Sequence, residues 1–214
     1  MLTLPNESDI LYSAISAKGF LRMSPKEDLR VIKTKKALAE AFMQLLSEKS
    51  FEDITVNELC ESAGIRRATF YKHFTDKFQY LASFTRSLRD NFDSLIWKSS
   101  KPDTTALYYT EYVNRILIFI KENQKIIENI MQSGVLPTMI SVIMEQNYRD
   151  TLDRLRDSVS AGMYSVSSAE TVSAMFSGGV TVAIYMWLVG GMEKSTDELA
   201  SEINAIISAT IGER

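Results

Sequence analysis

Residues that cross-link or interrupt a chain are scarce in this sequence. One cysteine among 214 residues, Cys60, excludes an intrachain disulfide framework and fits a reducing compartment, with the cytoplasm as the default. One histidine, His73, leaves no His-rich metal site, and because both residues lie in one short segment the longer remainder has no Cys/His nucleophile pair. No GxxxxGK loop is present to cradle a phosphate. These absences argue against an enzyme, a metal and a cofactor. Four prolines and nine glycines leave long stretches without helix breakers. No strand-like alternation or internal repeat is present, while Ala, Leu, Met, Glu and Lys are frequent, so the expected class is all-α.

A basic start followed by an apolar run is missing from MLTLPNESDILYSAISAKGF, so no signal peptide is read there. Ser24, Pro25 and Glu27 form a helix-start signature, which predicts a folded core from about Met23 and a loosely attached extension over 1–23. The stretch TVSAMFSGGVTVAIYMWLVGGM at 171–192 carries no charge over 22 residues, long enough to span a bilayer. Its four glycines, its serines and threonines, and flanks of Glu170, Glu193 and Lys194 give no positive-inside signal. The expected state is a helix packed within protein, with no membrane partner.

Periodicity and capping signals place helices at 24–48, from Thr55, at 66–73, at 75–97, and then at 104–121, 123–132, 136–159, 168–190 and 196–211. Capping boxes are read at TVNE (55–58), SSAE (167–170) and STDE (195–198). SSKPD at 99–103 is the clearest linker.

Within this series, ELCESAGIRRATFYKHF has the grammar of a helix-turn-helix: Ala63 and Gly64 permit a tight turn, and Leu59, Ile65 and Phe70 can pack two short helices together. With Phe70 and Phe74 inward, Arg66, Arg67, Thr69, Tyr71, Lys72 and His73 are left mostly outward. Arginine pairs in a bidentate way with guanine, hydroxyls reach phosphate or bases, and lysine neutralises phosphate, so the face suits duplex DNA.

The stretch FEDITVNELCESAGIRRATFYKHFTDKFQYL at 51–81, preceded by the TK.AL…F..LL pattern at 34–46, resembles the tetracycline-repressor (TetR) family of bacterial transcription regulators. The resemblance covers about a quarter of the chain. Arg66 departs from the family's small polar residue before the recognition helix. By matching position, the resemblance implies backbone contacts from Thr55, Thr69, Tyr71, His73 and Lys77. It implies base-facing positions at Arg67, Ala68 and Lys72, with Arg66 and Asn57 as further candidates. His73 can equally lock the motif to the next helix.

Charge divides accordingly. Residues 26–78 hold ten basic against nine acidic residues, and 79–214 hold twelve against sixteen. RVIKTKK at 30–36 carries four bases and no acid, suited to flanking a DNA backbone. The expected organisation is therefore an extension over 1–23, a helix-turn-helix domain over 24–78, and a helical sensing and dimerisation domain over 79–214.

One recognition helix reads few base pairs, so a homodimer on a near-palindromic site is expected. The uncharged helix offers Gly178, Gly179 and Ala183 for close approach and Met186 and Trp187 for bulk; the resemblance implies a four-helix bundle made by the last two helices of each protomer. Tyr108, Tyr112, Phe119, Met139, Met144 and Tyr148, with Tyr109 and Met131, can line an apolar effector pocket or simply form core. The resemblance implies an inducer cavity among these helices. The final region is also similar to regulators of the dihydroxyacetone-kinase-operon type, some of which act with a protein partner, so repressor and co-activator both stay open.

Overall fold

The computed structural model describes residues 29–100, 102, 104–160 and 168–211. Among them are nine helices and no strand: α1 Leu29–Glu48, α2 Val56–Ser62, α3 Arg67–Tyr71, α4 Lys77–Ser99, α5 Thr105–Glu122, α6 Gln124–Met131, α7 Leu136–Ser160, α8 Ala169–Val189 and α9 Thr196–Ile211. The extension over 1–23 and the signature at Ser24, Pro25 and Glu27 lie outside the described residues.

Local chemistry sets most of the boundaries. Thr55 caps α2 by accepting the Glu58 N–H, while the Glu58 carboxylate accepts the Thr55 N–H, so both partners of the expected box are engaged. Ser195 and Glu198 repeat that exchange at α9. At the third expected box, Ser168 caps α8 by accepting the Thr171 N–H, and Glu170 pairs with Arg156 at 2.6 Å. Ser167 itself lies outside the described residues.

The described residues divide into two compact units, the first within 29–95 and 122–139, the second within 96–121 and 140–211. Most of α4 and a later segment containing α6 belong to the same unit as the helix-turn-helix. In the first unit, Phe42, Phe51, Phe70, Phe74, Tyr80 and Phe84 are buried, with neighbouring rings 5.0–6.3 Å apart. Burying one such phenylalanine contributes roughly 1.5–3 kcal/mol.

The α6 segment joins this unit by polar bonds as well. Asn129 Nδ2 donates to the Leu46 carbonyl at 2.7 Å, the Phe51 N–H donates to Ser133 Oγ at 3.2 Å, and the Gly134 N–H donates to Glu52 Oε1 at 2.7 Å. The loop entering α2 is thus held from a segment about eighty residues further along the chain.

In the second unit, Tyr108, Tyr109 and Tyr112 on α5 are buried with Phe176 of α8, and Leu199, Ile203 and Ile207 form the buried stripe of α9. One helix among the described residues, α8, is long and apolar enough to cross a membrane by length and composition alone. Its buried side is Ser173, Phe176, Ser177 and Ile184, so within one chain it is covered on one face.

Candidate nucleic-acid interface

The turn of the helix-turn-helix follows from Gly64. Its φ of 64° lies in the left-handed region that ends α2, with the Gly64 N–H bonded to the Glu61 carbonyl and the Ile65 N–H to the Cys60 carbonyl. This pair of bonds is a Schellman ending, and glycine adopts the required φ without a Cβ penalty. The chain then re-enters a helix at Arg67, with Arg66 extended at the cap position and making no side-chain cap. Helical bonding runs past the end of α3: His73 and Phe74 both donate their N–H to the Phe70 carbonyl.

Phe70 is fully buried and Phe74 nearly so, which turns the opposite side of this segment to solvent. Arg66, Arg67, Ala68, Tyr71, Lys72 and His73 are exposed, and Thr69 is half-buried. Thr55 and Asn57 are exposed at the start of α2, although the Thr55 hydroxyl is engaged in its cap. The His73 ring lies 6.2 Å from that of Phe74, so it touches the core edge while facing solvent. Arg66, Arg67, Tyr71, Lys72 and His73 thus make the solvent side of the α3 segment basic and aromatic-bearing.

Lys77 is the exception. Its ammonium donates to the carbonyls of Phe51, Glu52 and Ile54 at 3.0, 2.8 and 2.8 Å and lies 4.8 Å from the centre of the Phe51 ring. Three hydrogens meet three acceptors, which leaves no donor for phosphate and makes Lys77 a clamp on the loop before α2. The N–H groups of Phe78 and Gln79 are likewise taken by the Asp76 carboxylate at 2.8 Å each. The Gln79 N–H bond is the main cause that holds the Asp76 carboxyl below its usual range. Glu58 is lowered to about 2, first by its hydrogen bond from Lys49 and then by those from Thr55.

The other expected groups are placed more variously. Tyr112 is buried and donates its hydroxyl to Asn147 Oδ1, the Tyr109 hydroxyl donates to Thr151, and the Tyr108 ring lies 3.6 Å from the Arg154 guanidinium carbon. Phe119, Met144 and Tyr148 are half-buried in the second unit with these tyrosines, whereas Met139 belongs to the first unit and Met131 lies there too. On α8, Gly178 faces Met144, whose Cε would lie 3.7 Å from an added Cβ, and Trp187 Nε1 donates to the Lys194 carbonyl. Both therefore serve contacts within the chain. Gly179 and Met186 are exposed, Ala183 is half-buried, and Met175, Val182 and Val189 join the exposed side. Residues 175, 179, 182, 186 and 189 alternate steps of four and three, the spacing of a helix-pairing seam.

A basic helix-turn-helix face on an all-α chain with a second helical unit defines a transcription regulator of the helix-turn-helix class. The chain belongs to the tetR family of bacterial regulatory proteins: the model of that family matches residues 38–81, and a model of a transcriptional regulator C-terminal region matches 109–209. The HTH-type transcriptional regulator YxbF of Bacillus subtilis is 33% identical over 115 residues, covering 53% of this chain and 30% of the relative. The HTH-type dhaKLM operon transcriptional activator DhaS of Lactococcus lactis is 32% identical over 71 residues, covering 31% of this chain and 38% of the relative. The chain thus spans about a third of the length of these curated relatives.

Among solved structures, a dihydroxyacetone kinase operon activator DhaS superposes with a TM-score of 0.59 at 21% identity, covering 83% of this chain and 96% of that one. A TetR-family regulator from Rhodococcus sp. gives 0.64 at 16% identity, covering 84% and 98%. These likenesses show the fold; the relatives are transcription regulators, not enzymes.

Proposed function

We propose that the protein is a homodimeric, cytoplasmic regulator that binds a near-palindromic duplex site through α2 and α3 and is released from it by a small-molecule effector. The observation that carries the reading is the exposure of Arg66, Arg67, Tyr71, Lys72 and His73 on the side of α3 opposite buried Phe70. Arg67 and Lys72 face bases, while Thr69, Tyr71 and His73 contact the backbone. The exposed seam of α8 supports pairing of two copies, which sets two recognition helices about one DNA turn apart. An effector regulates such a dimer only by binding one spacing of its heads better than another. Its place is among the α5, α7 and α8 side chains, where the buried hydroxyl of Ser173 has no hydrogen-bond partner among the described residues.

Selection of bound duplexes from random DNA tests the reading. A recovered inverted repeat, with affinity falling steeply as salt rises, is expected; retention of no sequence over background overturns it. A second reading, activation with a protein partner, draws on the likeness to two relatives named as DhaS activators. Transcription from a promoter carrying the selected site separates the two: addition of the protein lowers output for a repressor and raises it for an activator.

A further inference from the structure

Two arginines stand side by side at the start of α3, but their surroundings differ. Arg67 and Tyr71 are four residues apart and share a helix face, with the Arg67 guanidinium carbon 5.8 Å from the centre of the Tyr71 ring. That distance lies within cation–π range. The ring is itself backed: it meets Phe70 edge-on at 5.5 Å and 89°, and Phe70 is fully buried against Phe74 and Tyr80. Arg67 makes no ion pair among the described residues, so the ring is its platform and no carboxylate competes for its donors. Arg66 has no such platform and no capping bond.

We propose that Tyr71 is a positioning residue for base reading. Its ring holds the Arg67 guanidinium before DNA arrives, so that the fork meets the O6 and N7 acceptors of a guanine in the major groove with little further ordering. The proposal rests on the DNA-reading function above and adds a role for the ring that is separate from any contact of its hydroxyl with phosphate. It also explains why Arg67, and not its neighbour, is the reader of the pair. A long side chain fixed in advance loses less freedom on binding, which is how rigidity raises both affinity and discrimination.

Removing the ring and removing the hydroxyl have different expected outcomes. Wild type, Tyr71→Phe, Tyr71→Leu, Arg67→Ala and the double variant Arg67→Ala with Tyr71→Leu are compared by duplex selection. The Arg67 side-chain protons are followed by NMR in the free proteins. Tyr71→Phe keeps the ring, so it retains the guanine preference and the upfield ring-current shift of Arg67, with binding weakened evenly across sequences. Tyr71→Leu loses the shift, and its guanine preference falls by about tenfold, as in Arg67→Ala. The double variant falls no further, the signature of one shared interaction. Tyr71 is half-exposed, so circular dichroism is expected to be unchanged in each variant. An intact guanine preference in Tyr71→Leu, or an Arg67 shift no different from that of Arg66 in the wild type, overturns the proposal alone. A wild-type chain that enriches no sequence overturns the DNA-reading function and the proposal with it.

Discussion

Lys77 carries three ammonium hydrogens, and a phosphate anchor would need at least one of them. All three are directed at the carbonyls of Phe51, Glu52 and Ile54, the loop that delivers Thr55 to the start of α2. Hydrogen bonds from a charged donor contribute more than neutral ones, so Lys77→Met is expected to lower folding stability by about 2 kcal/mol. Urea denaturation measures that loss. The salt dependence of DNA binding is expected to stay the same, because no phosphate contact is removed. A flattened salt slope with unaltered stability would restore Lys77 to the interface. The motif around Lys77 pointed to phosphate because a lysine at a helix start has two uses, and only the long-range fold decides between them. Arg67, Lys72 and His73 were legible where they stand, since the burial of Phe70 and Phe74 four residues apart fixes which neighbours point outward.

At the scale of elements, helix ends were the most readable feature of the chain. Thr55 with Glu58 and Ser195 with Glu198 form their boxes as local chemistry requires, because each needs only four consecutive residues. Ser168 caps α8, and a sequence with serine at both 167 and 168 offers no means of choosing between them. Glu58 links its box to pH. Its carboxyl is lowered to about 2 by Lys49 and Thr55, against an ordinary value of 4.5. A depressed carboxylate contributes stability that is present above its unfolded value and lost as pH falls through its folded one. The first unit is therefore expected to lose stability from about pH 4.5 downward to about 2, and Glu58→Gln to flatten that acid dependence. Thermal melts between neutral and acid pH decide this; an identical pH profile in the variant would remove Glu58 as a source. Gly64 tests the turn in the same way. Space is open around its Cβ position, so Gly64→Ala meets only the backbone cost of a φ of 64°. That cost is roughly 1–2 kcal/mol. Weaker DNA binding with the same base preference is the expected companion in a binding assay.

For the molecule as a whole, what pattern could not disclose is the company each segment keeps. The helix read at 123–132 and the loop after it carry no sign of a distant partner, yet Asn129, Ser133 and Gly134 bond to Leu46, Phe51 and Glu52 within the first unit. No periodicity records a partner some eighty residues away. The exposed side of α8 lies between these extremes. The lack of charge over 171–189 was plain, but the exposed stripe with the spacing of a seam runs through Met175, Gly179, Val182, Met186 and Val189, while Gly178 and Trp187 make contacts within their own chain. Val182 sits at the middle of that seam and is 50% exposed in the single chain. A charge there is solvated while the chain stands alone, so Val182→Glu is expected to change the folding of one protomer by no more than about 0.5 kcal/mol. Across a two-fold axis the same substitution places two like charges in an apolar seam, at a cost of about 3 kcal/mol or more, or at least roughly a hundredfold in the dimer Kd. Sedimentation at micromolar concentration should therefore find a dimer for the wild type and a helical monomer for the variant. Binding to the inverted repeat would fall with it, because two recognition helices would no longer act as one ligand. A variant that remains a dimer would show that pairing uses another face of the chain.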